Sequence, residues 1–414
     1  MKNILLYVWG CECRALDAQK LSKYFLENGY CLTNNAKNAD LIFFIACGAT
    51  DIITKSSLDK VKQLKSYNSE LIVGGCVPET DKVELSKIFN GTTMVTKNLN
   101  QNPDKIDSLL PNCKIKFSEI NDANRLYKNS YGFTHIEFFF NILFQMKLFK
   151  KFKKHVISHV LGIDTPFGKY MVQSSLYVIR ISWGCMGRCA YCAIRNAIGD
   201  FESKPLNECI LELKKGLGGG ADKYLLVADE MGAYGLDKGT TFPKLLRKMT
   251  DIDKKYSISI RHLDPRWIVR YIDDIEKILS SGKIDSIDIP IQSGNNRILK
   301  VMNRYDNINK IKESIKRLQI AYPNIHLHTH IIVGFPTESW DEFRQSLEFV
   351  TDLNLQGGLF FPFSSKPGTK AEKLDLKIPK KEVKNRLKYF KKYLKRHGYL
   401  VIYLGHQQHI FFKK

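Results

Sequence analysis

The stretch SWGCMGRCAYCAIRNAIGD, residues 182–200, decides how this chain is read. Cys185, Cys189 and Cys192 form a CxxxCxxC array. The array follows a β-rich run at 176–182, which places the thiols in a loop at the open end of a predicted sheet. Closely spaced soft thiolates suit an iron–sulfur cluster or zinc. Structural zinc wants four ligands, usually as two CxxC-like pairs. No second pair lies nearby in the sequence. Three thiolates on a four-iron cluster leave one iron open for a substrate or cofactor.

Strand and helix patterns alternate on both sides of this loop. Downstream, apolar runs at 176–182, 223–229, 256–262, 284–291, 325–333 and 357–363 alternate with amphipathic stretches at 206–217, 267–280, 308–320 and 338–353. Six such units predict a partial parallel barrel with its chemistry at the C-terminal strand ends. Upstream, runs at 3–8, 40–46 and 70–75 alternate with helical faces marked by Leu16, Leu21 and Phe25 and by Ile53, Leu58, Val61 and Leu64, with Gly29 as a helix stop. That alternation predicts a parallel sheet. Each of these three runs is followed by a cysteine: YVWGC ending at Cys11, FFIAC at Cys47 and IVGGC at Cys76. Strand ends of an open parallel sheet converge at one edge, so the three thiols can meet. The pattern alone equally allows ordinary buried cysteines. Cys13, Cys31, Cys113 and Cys209 lack this context and read as structural.

Composition sets the outer bounds. The 414 residues imply two or three domains. The hydrophobic fraction of 44% and charged fraction of 26% are those of a globular chain. A formal charge of +22 favours polyanion partners, RNA before membranes, or reflects a lysine-rich surface only. No signal peptide is visible and no apolar run is long enough to span a bilayer. A cytoplasmic location is therefore expected, with ten cysteines serving as thiols or ligands rather than disulfides. The basic run with phenylalanines at 147–155 and the aromatics Phe138–Phe140 read as part of an insertion. At 380–414 a basic helix carries an apolar stripe of Val383, Leu387, Phe390 and Leu394.

Together these segments resemble the radical-SAM methylthiotransferase family, SAM being S-adenosylmethionine. The matching pieces are WGCECRALDAQ, ADLIFFIACGAT, IVGGCVPET, GCMGRCAYC, DEMGAYGLD (229–237), DIPIQSGNNRILKVMNR (288–304), HIIVGFPTESWDEF (330–343) and SSKPGT (364–369). The likeness runs from residue 1 to about 375, outside the insertion. It implies an α/β chain: an N-terminal three-layer parallel-sheet domain at 1–110, a linker or insertion at 111–175, a partial (β/α)6 radical-SAM barrel at 176–379, and a basic helix with a truncated tail at 380–414. Family members normally end in a small β-barrel domain, and RHGYLVIYLGHQQHIFF reads as its first strand.

The resemblance further implies two 4Fe–4S clusters, one on Cys185, Cys189 and Cys192 and an auxiliary one on Cys11, Cys47 and Cys76. SAM would chelate the open iron of the first and yield a 5′-deoxyadenosyl radical. Its contacts would come from Tyr191 beside the adenine, Asp229 or Glu230 at the amino group, and Gln292, Ser293 and Arg304 around the remaining polar groups. Gly334 and Pro336 would lie along the adenosine, while Lys366 and Thr369 fall nearer the substrate. The implied reaction turns C–H into C–SCH₃, with an electron donor such as flavodoxin or ferredoxin. GAYGLDKGT resembles the branch acting on threonylcarbamoyl-adenosine in tRNA, whereas AYGLD also resembles the protein-modifying branch. The candidate substrates are therefore tRNA first and a protein or peptide second. A non-catalytic iron–sulfur RNA-binding protein is the third reading.

Overall fold

The computed structural model describes residues 2–110, 113–127, 176–405 and 408–414. The basic-aromatic segment at 137–155 lies outside the described residues.

The N-terminal sheet is built from Asn3–Val8 (β1), Cys31–Leu32 (β2), Leu41–Ala46 (β3), Glu70–Gly75 (β4) and Thr93–Val95 (β5), in the order β2-β1-β3-β4-β5 and all parallel. Its central strands are apolar on both faces because helices cover both. Ile4, Leu6, Phe43 and Ile45 pack with Leu21, Tyr24 and Phe25 of helix Glu12–Glu27 (α1). Leu5, Ile42 and Phe44 pack on the other side with Val61 and Leu64 of Asp51–Leu64 (α2). The result is three layers. Gly29, at φ +82°, takes the left-handed turn after α1 that an L side chain resists.

The second sheet contains Tyr177–Trp183 (β6), Glu202–Ser203 (β7), Lys223–Ala228 (β8), Ser257–Ile260 (β9), Ile284–Asp288 (β10), His326–Val333 (β11), Gly357–Pro362 (β12), Tyr399–Gly405 (β13) and Gln408–Lys413 (β14). Strands β6, β8, β9, β10, β11 and β12 are parallel neighbours and form the partial barrel. Helices Leu206–Gly218 (α3), Phe242–Thr250 (α4), Pro265–Leu279 (α5), Ile308–Ala321 (α6) and Trp340–Asp352 (α7) connect these strands, and their apolar faces share one core with the sheet. Asp264 caps α5, with Pro265 in its first turn, and a Ser339–Glu342 capping box starts α7.

Three expectations change. The tail is not the first strand of a separate barrel: β13 and β14 form a hairpin, and β14 pairs antiparallel with β12, extending the radical-SAM sheet. Phe411 is the physical reason, buried against Phe360, Phe390 and Tyr399. Residues 113–127, expected to begin a linker or insertion, pack into the core. Phe117, Ile120 and Tyr127 are buried in the α1 core, and Asn124 donates to the Val178 carbonyl of β6 and to Glu212 of α3. Finally, Lys366 is taken up by an internal ion pair. Its buried ammonium lies 2.7 Å from Asp81 and 2.8 Å from Thr54, tying the segment after β12 to the N-terminal sheet.

A buried pair held this way is weak evidence of net stabilisation, but losing one partner leaves an uncompensated charge. Lys366→Met or Asp81→Asn alone is expected to lower stability by about 3–5 kcal/mol. The Lys366→Met/Asp81→Asn double variant should recover part of that loss. Urea midpoints of the cluster-free chain measure it.

Candidate active site at facing strand ends

Cys11, Cys47 and Cys76 follow β1, β3 and β4, which are adjacent in the sheet. All three therefore stand at one sheet edge. Gly75 sits at φ +93°, and a Cβ there would come within 2.5 Å of the Ala46 carbonyl oxygen. Its absence lets the Cys76 N–H donate to that oxygen at 2.9 Å. Cys47 and Cys76 are buried and Cys11 is half-buried. The thiols sense one another's charge. Burial pushes Cys76 up to about 11 and Cys47 higher, with the charge of Cys11 adding to both and that of Cys76 adding to Cys47. Cys11 moves the other way, to about 7, because Cys13 donates a hydrogen bond to it and Arg14 stands close. Cys13 thus supports Cys11, a role that the sequence reading misses. Its CxC spacing with Cys11 is the available signal.

Cys185 follows β6 across Gly184, at φ +67°. A Cβ on Gly184 would collide with the Asp200 carbonyl. The Cys185 Sγ donates to Glu230 at 3.0 Å and accepts from the Gly187 N–H at 3.2 Å. Burial and the Glu230 carboxylate push this thiol well above its usual range. Glu230 also accepts from Trp267 Nε1 at 2.6 Å. Cys192 is exposed. Tyr191 packs half-buried beside Ala190, Met302, Ile332 and Phe335.

Two chains of polar contacts join the cysteine groups. Arg14, three residues after Cys11, reaches Asp17 at 2.8 Å and Asp229 at 3.7 Å. Asp229 accepts from the Gly184 N–H at 3.3 Å and is followed by Glu230, the partner of Cys185. On the other side, Glu12 takes Arg261 at 2.8 Å. Three residues on, Asp264 holds Arg304 at 2.8 Å, and Arg304 Nη1 lies 3.7 Å from Cys189 Sγ. Arg304 also donates to the Pro290 carbonyl. Both cysteine groups thus face the same open end of the barrel.

The other expected residues cluster nearby. Gln292 is buried at φ +71°, and its Oε1 has no hydrogen-bond partner among the described residues. Ser293 is fully buried and accepts from the Asn295 N–H. Gly334, at φ +76°, donates its N–H to Glu338 at 2.8 Å, and Pro336 is buried. Sequence reading misses a further group. Asp288, at the end of β10, is buried with Oδ2 2.9 Å from His262 Nδ1 and Oδ1 3.4 Å from His330 Nε2. Burial alone would raise its pKa, but the two histidines hold it far below the carboxylate range. His262 at the end of the predicted strand 256–262 and His330 within 325–333 are the visible signal.

The thiol geometry speaks to what it can bind. Among the described residues, His262, Asp288 and His330 form the single three-residue set whose ligand atoms all lie within 4.8 Å of one another. Neither cysteine group closes that tightly, so neither is shaped around one ion. Buried thiols that resist ionisation need a cationic centre to become thiolates. The unpaired Gln292 oxygen and the close backbone at Gly187 leave polar and steric room for a ligand; a Cβ on Gly187 would sit 3.1 Å from Cys185 Sγ. These residues fit iron–sulfur clusters with an added small polar ligand.

Comparison with known proteins agrees. The Radical SAM superfamily matches residues 179–350, and Uncharacterized protein family UPF0004 matches residues 3–96. A probable threonylcarbamoyladenosine tRNA methylthiotransferase of Archaeoglobus fulgidus is 25% identical over 374 residues, 90% of this chain and 78% of that one. A ribosomal protein uS12 methylthiotransferase RimO of Carboxydothermus hydrogenoformans is 28% identical over 395 residues, 93% of this chain and 80% of that one. The chain thus carries a Radical SAM superfamily region and a UPF0004 region and is similar over most of its length to methylthiotransferases. It is an enzyme of the transferase class that works with SAM and 4Fe–4S clusters, which overturns the reading as a non-catalytic iron–sulfur protein. In fold, the chain is similar to the radical SAM methyltransferase TsrM of Kitasatospora setae, with a TM-score of 0.59 at 12% identity over 90% of this chain and 77% of that one. No helix among the described residues is long and apolar enough to cross a membrane.

Arg14 is the buried cation between the two cysteine groups, with a side chain 2% exposed. Arg14→Met leaves Asp229 without it and is expected to cost about 3 kcal/mol. Arg14→Lys, which keeps the charge but not the guanidinium fork, should recover only part. Urea denaturation of the cluster-free variants gives the measure.

Proposed function

We propose that Cys185, Cys189 and Cys192 hold the SAM-binding 4Fe–4S cluster, that Cys11, Cys47 and Cys76 hold an auxiliary 4Fe–4S cluster, and that the enzyme methylthiolates N6-threonylcarbamoyladenosine in tRNA. The observation that carries this reading is the pair of cysteine groups facing one barrel mouth and joined through Arg14, Asp229 and Glu230. Bound there, SAM and the clusters would supply the carbon-centred radical and the sulfur to be transferred.

The chain's own residues do the holding. Thiolates from three neighbouring strand ends fix the auxiliary group to the N-terminal sheet, and the 184–193 loop fixes the other to β6. Asp264 keeps the Arg304 guanidinium beside Cys189, where a cation lowers the cost of negative charge. Tyr191, Gly334 and Pro336 offer apolar and backbone surface for an adenosine, and Gln292 and Ser293 offer polar atoms. Asp229 and Glu230 remain the acidic candidates for an ammonium, each already bonded to groups of the site. Holding all reacting groups in one closed space makes their encounters intramolecular.

The substrate assignment rests on the formal charge of +22 and on the tRNA-acting relatives. A second reading, a protein side chain as substrate, is supported by the uS12-acting relatives, which are 27–29% identical where the tRNA-acting ones are 22–27%.

Reconstituted wild-type enzyme is expected to bind about eight irons. Cys185→Ala, Cys189→Ala or Cys192→Ala should remove about half of them and abolish 5′-deoxyadenosine formation with dithionite. Cys11→Ala, Cys47→Ala or Cys76→Ala should also lose about half, yet still cleave SAM and transfer no methylthio group. Retention of all iron by either set sinks the ligand assignment.

Mass spectrometry of digested tRNA and of ribosomal protein from cells with and without the gene separates the substrates. Loss of the methylthiolated adenosine with accumulation of its precursor is expected. Loss of a methylthiolated protein residue instead establishes the second reading.

A further inference from the structure

Building on the tRNA reading, we propose that the exposed face of helix Lys380–Arg396 (α8), together with the aromatic row along its flank, is an RNA-binding surface that leads to the barrel mouth.

The helix carries nine cationic residues and one acid. Its apolar stripe is used internally: Leu387, Phe390 and Leu394 are buried, and Phe390 stacks on Phe360 of β12 at 4.0 Å. Arg386 is also spent, on buried Glu338 at 2.6 Å. The opposite face is left to Lys384, Lys388, Lys391, Lys392, Lys395 and Arg396, all exposed. None of these six has an ion pair among the described residues. Four pairs of them stand at i,i+4 spacing, where like charges oppose helix formation. An ordinary solvated helix relieves that repulsion by interleaving acids, and this one does not. A bound polyanion would relieve it.

The ring arrangement narrows the polyanion to one with bases. Tyr389, Tyr393 and His397 repeat every four residues beside the lysine face. Tyr389 and Tyr393 stack at 6.1 Å and 29°, and Tyr393 and His397 at 4.2 Å and 27°. Trp340 meets Tyr389 edge-on at 5.6 Å, and both are 38% exposed. Phosphate-tracking cations beside aromatic faces are the elements of single-stranded nucleic-acid binding. A lipid surface fits less well, because interfacial helices insert an apolar face and that of α8 is buried in the barrel.

Position ties the surface to the site. A Cβ on Gly334, at the end of β11, would meet Val383 at 2.6 Å, so the first turn of α8 lies against the barrel mouth. From there the lysine face, Lys384 to Arg396, runs about 18 Å down the outside of the barrel. An RNA lying along it would place one end at the mouth that both cysteine groups face.

The test is tRNA binding by the reconstituted enzyme, read by fluorescence anisotropy across a salt series. Wild type should bind with salt-dependent affinity. Lys384→Glu/Lys388→Glu/Lys391→Glu/Lys395→Glu should weaken binding at least ~10-fold and flatten the salt slope by about 0.7–0.9 for each phosphate no longer neutralised. Tyr389→Ala should weaken binding a few-fold with the slope unchanged, as removal of a stacking partner predicts. Iron content and dithionite-driven SAM cleavage should stay at wild-type levels in all of these. The control carries the same charge change on the N-terminal domain: Lys62→Glu/Lys65→Glu/Lys82→Glu/Lys87→Glu should bind tRNA as wild type does. Equal weakening in the control, no tRNA binding by wild type, or α8-dependent binding to anionic phosphatidylserine vesicles in place of tRNA would each overturn the proposal. The tRNA reading itself fails separately, if tRNA binds through α8 yet tRNA digests never contain the methylthiolated adenosine.

Discussion

Arg14 and Arg180 share the carboxylate of Asp17 in the interior, at 2.8 and 2.7 Å, and Arg14 extends to Asp229. Asp17 and Arg14 belong to α1 of the N-terminal sheet, whereas Arg180 and Asp229 belong to the barrel. This network is where the two sheets are registered against each other. Buried charges are costly unless paired, so each member constrains the others. Arg180 also donates to the Cys13 carbonyl, which draws the start of α1 onto β6. With that start go Cys11, Glu12 and Arg14. The alignment of the two cysteine groups depends on these contacts more than on any apolar patch between the sheets. The patch of Cys13, Leu16, Ala123, Val178, Leu225 and Val227 is small beside the barrel core.

Around that joint the site is made from strand ends. A parallel sheet brings the C-terminal ends of β1, β3 and β4 to one edge, and the barrel does the same for β6 and β8 to β12. Facing the two edges toward each other gives one mouth lined by thiols, acids and glycine turns. Burial raises Cys47, Cys76 and Cys185, so their ionisation awaits a positive partner. The apolar body and the cationic interior network thus fit the chemistry of cluster binding.

Much of this is legible from local pattern. The continuous apolar runs at 3–8, 41–46 and 70–75 are strands because both sheet faces are covered, and such runs need no partner to be recognised. The strands at 177–183, 223–228, 326–333 and 357–362 follow in the same way. The apolar runs at 256–262 and 284–291 are longer than the strands they contain, which stop at Ile260 and Asp288. His262 turns to φ +54°, and Pro290 lacks the N–H a ladder needs. The hairpin at 399–413 escapes pattern reading because alternating apolar residues announce a strand but not the sheet it joins.

Cysteine spacing and strand-following position are local properties of the chain, so the family resemblance, the element order and the candidate soft ligands can be read from the order of residues alone. Whatever joins residues far apart in the chain cannot. The folded chain gives Lys366 to Asp81, 285 residues distant. It packs 113–127 into the core, assembles His262, Asp288 and His330, and turns the lysine face of α8 outward by burying its opposite side. The physical reason is that burial, and the demand that every buried charge find a partner, are settled only when the sheets close on each other.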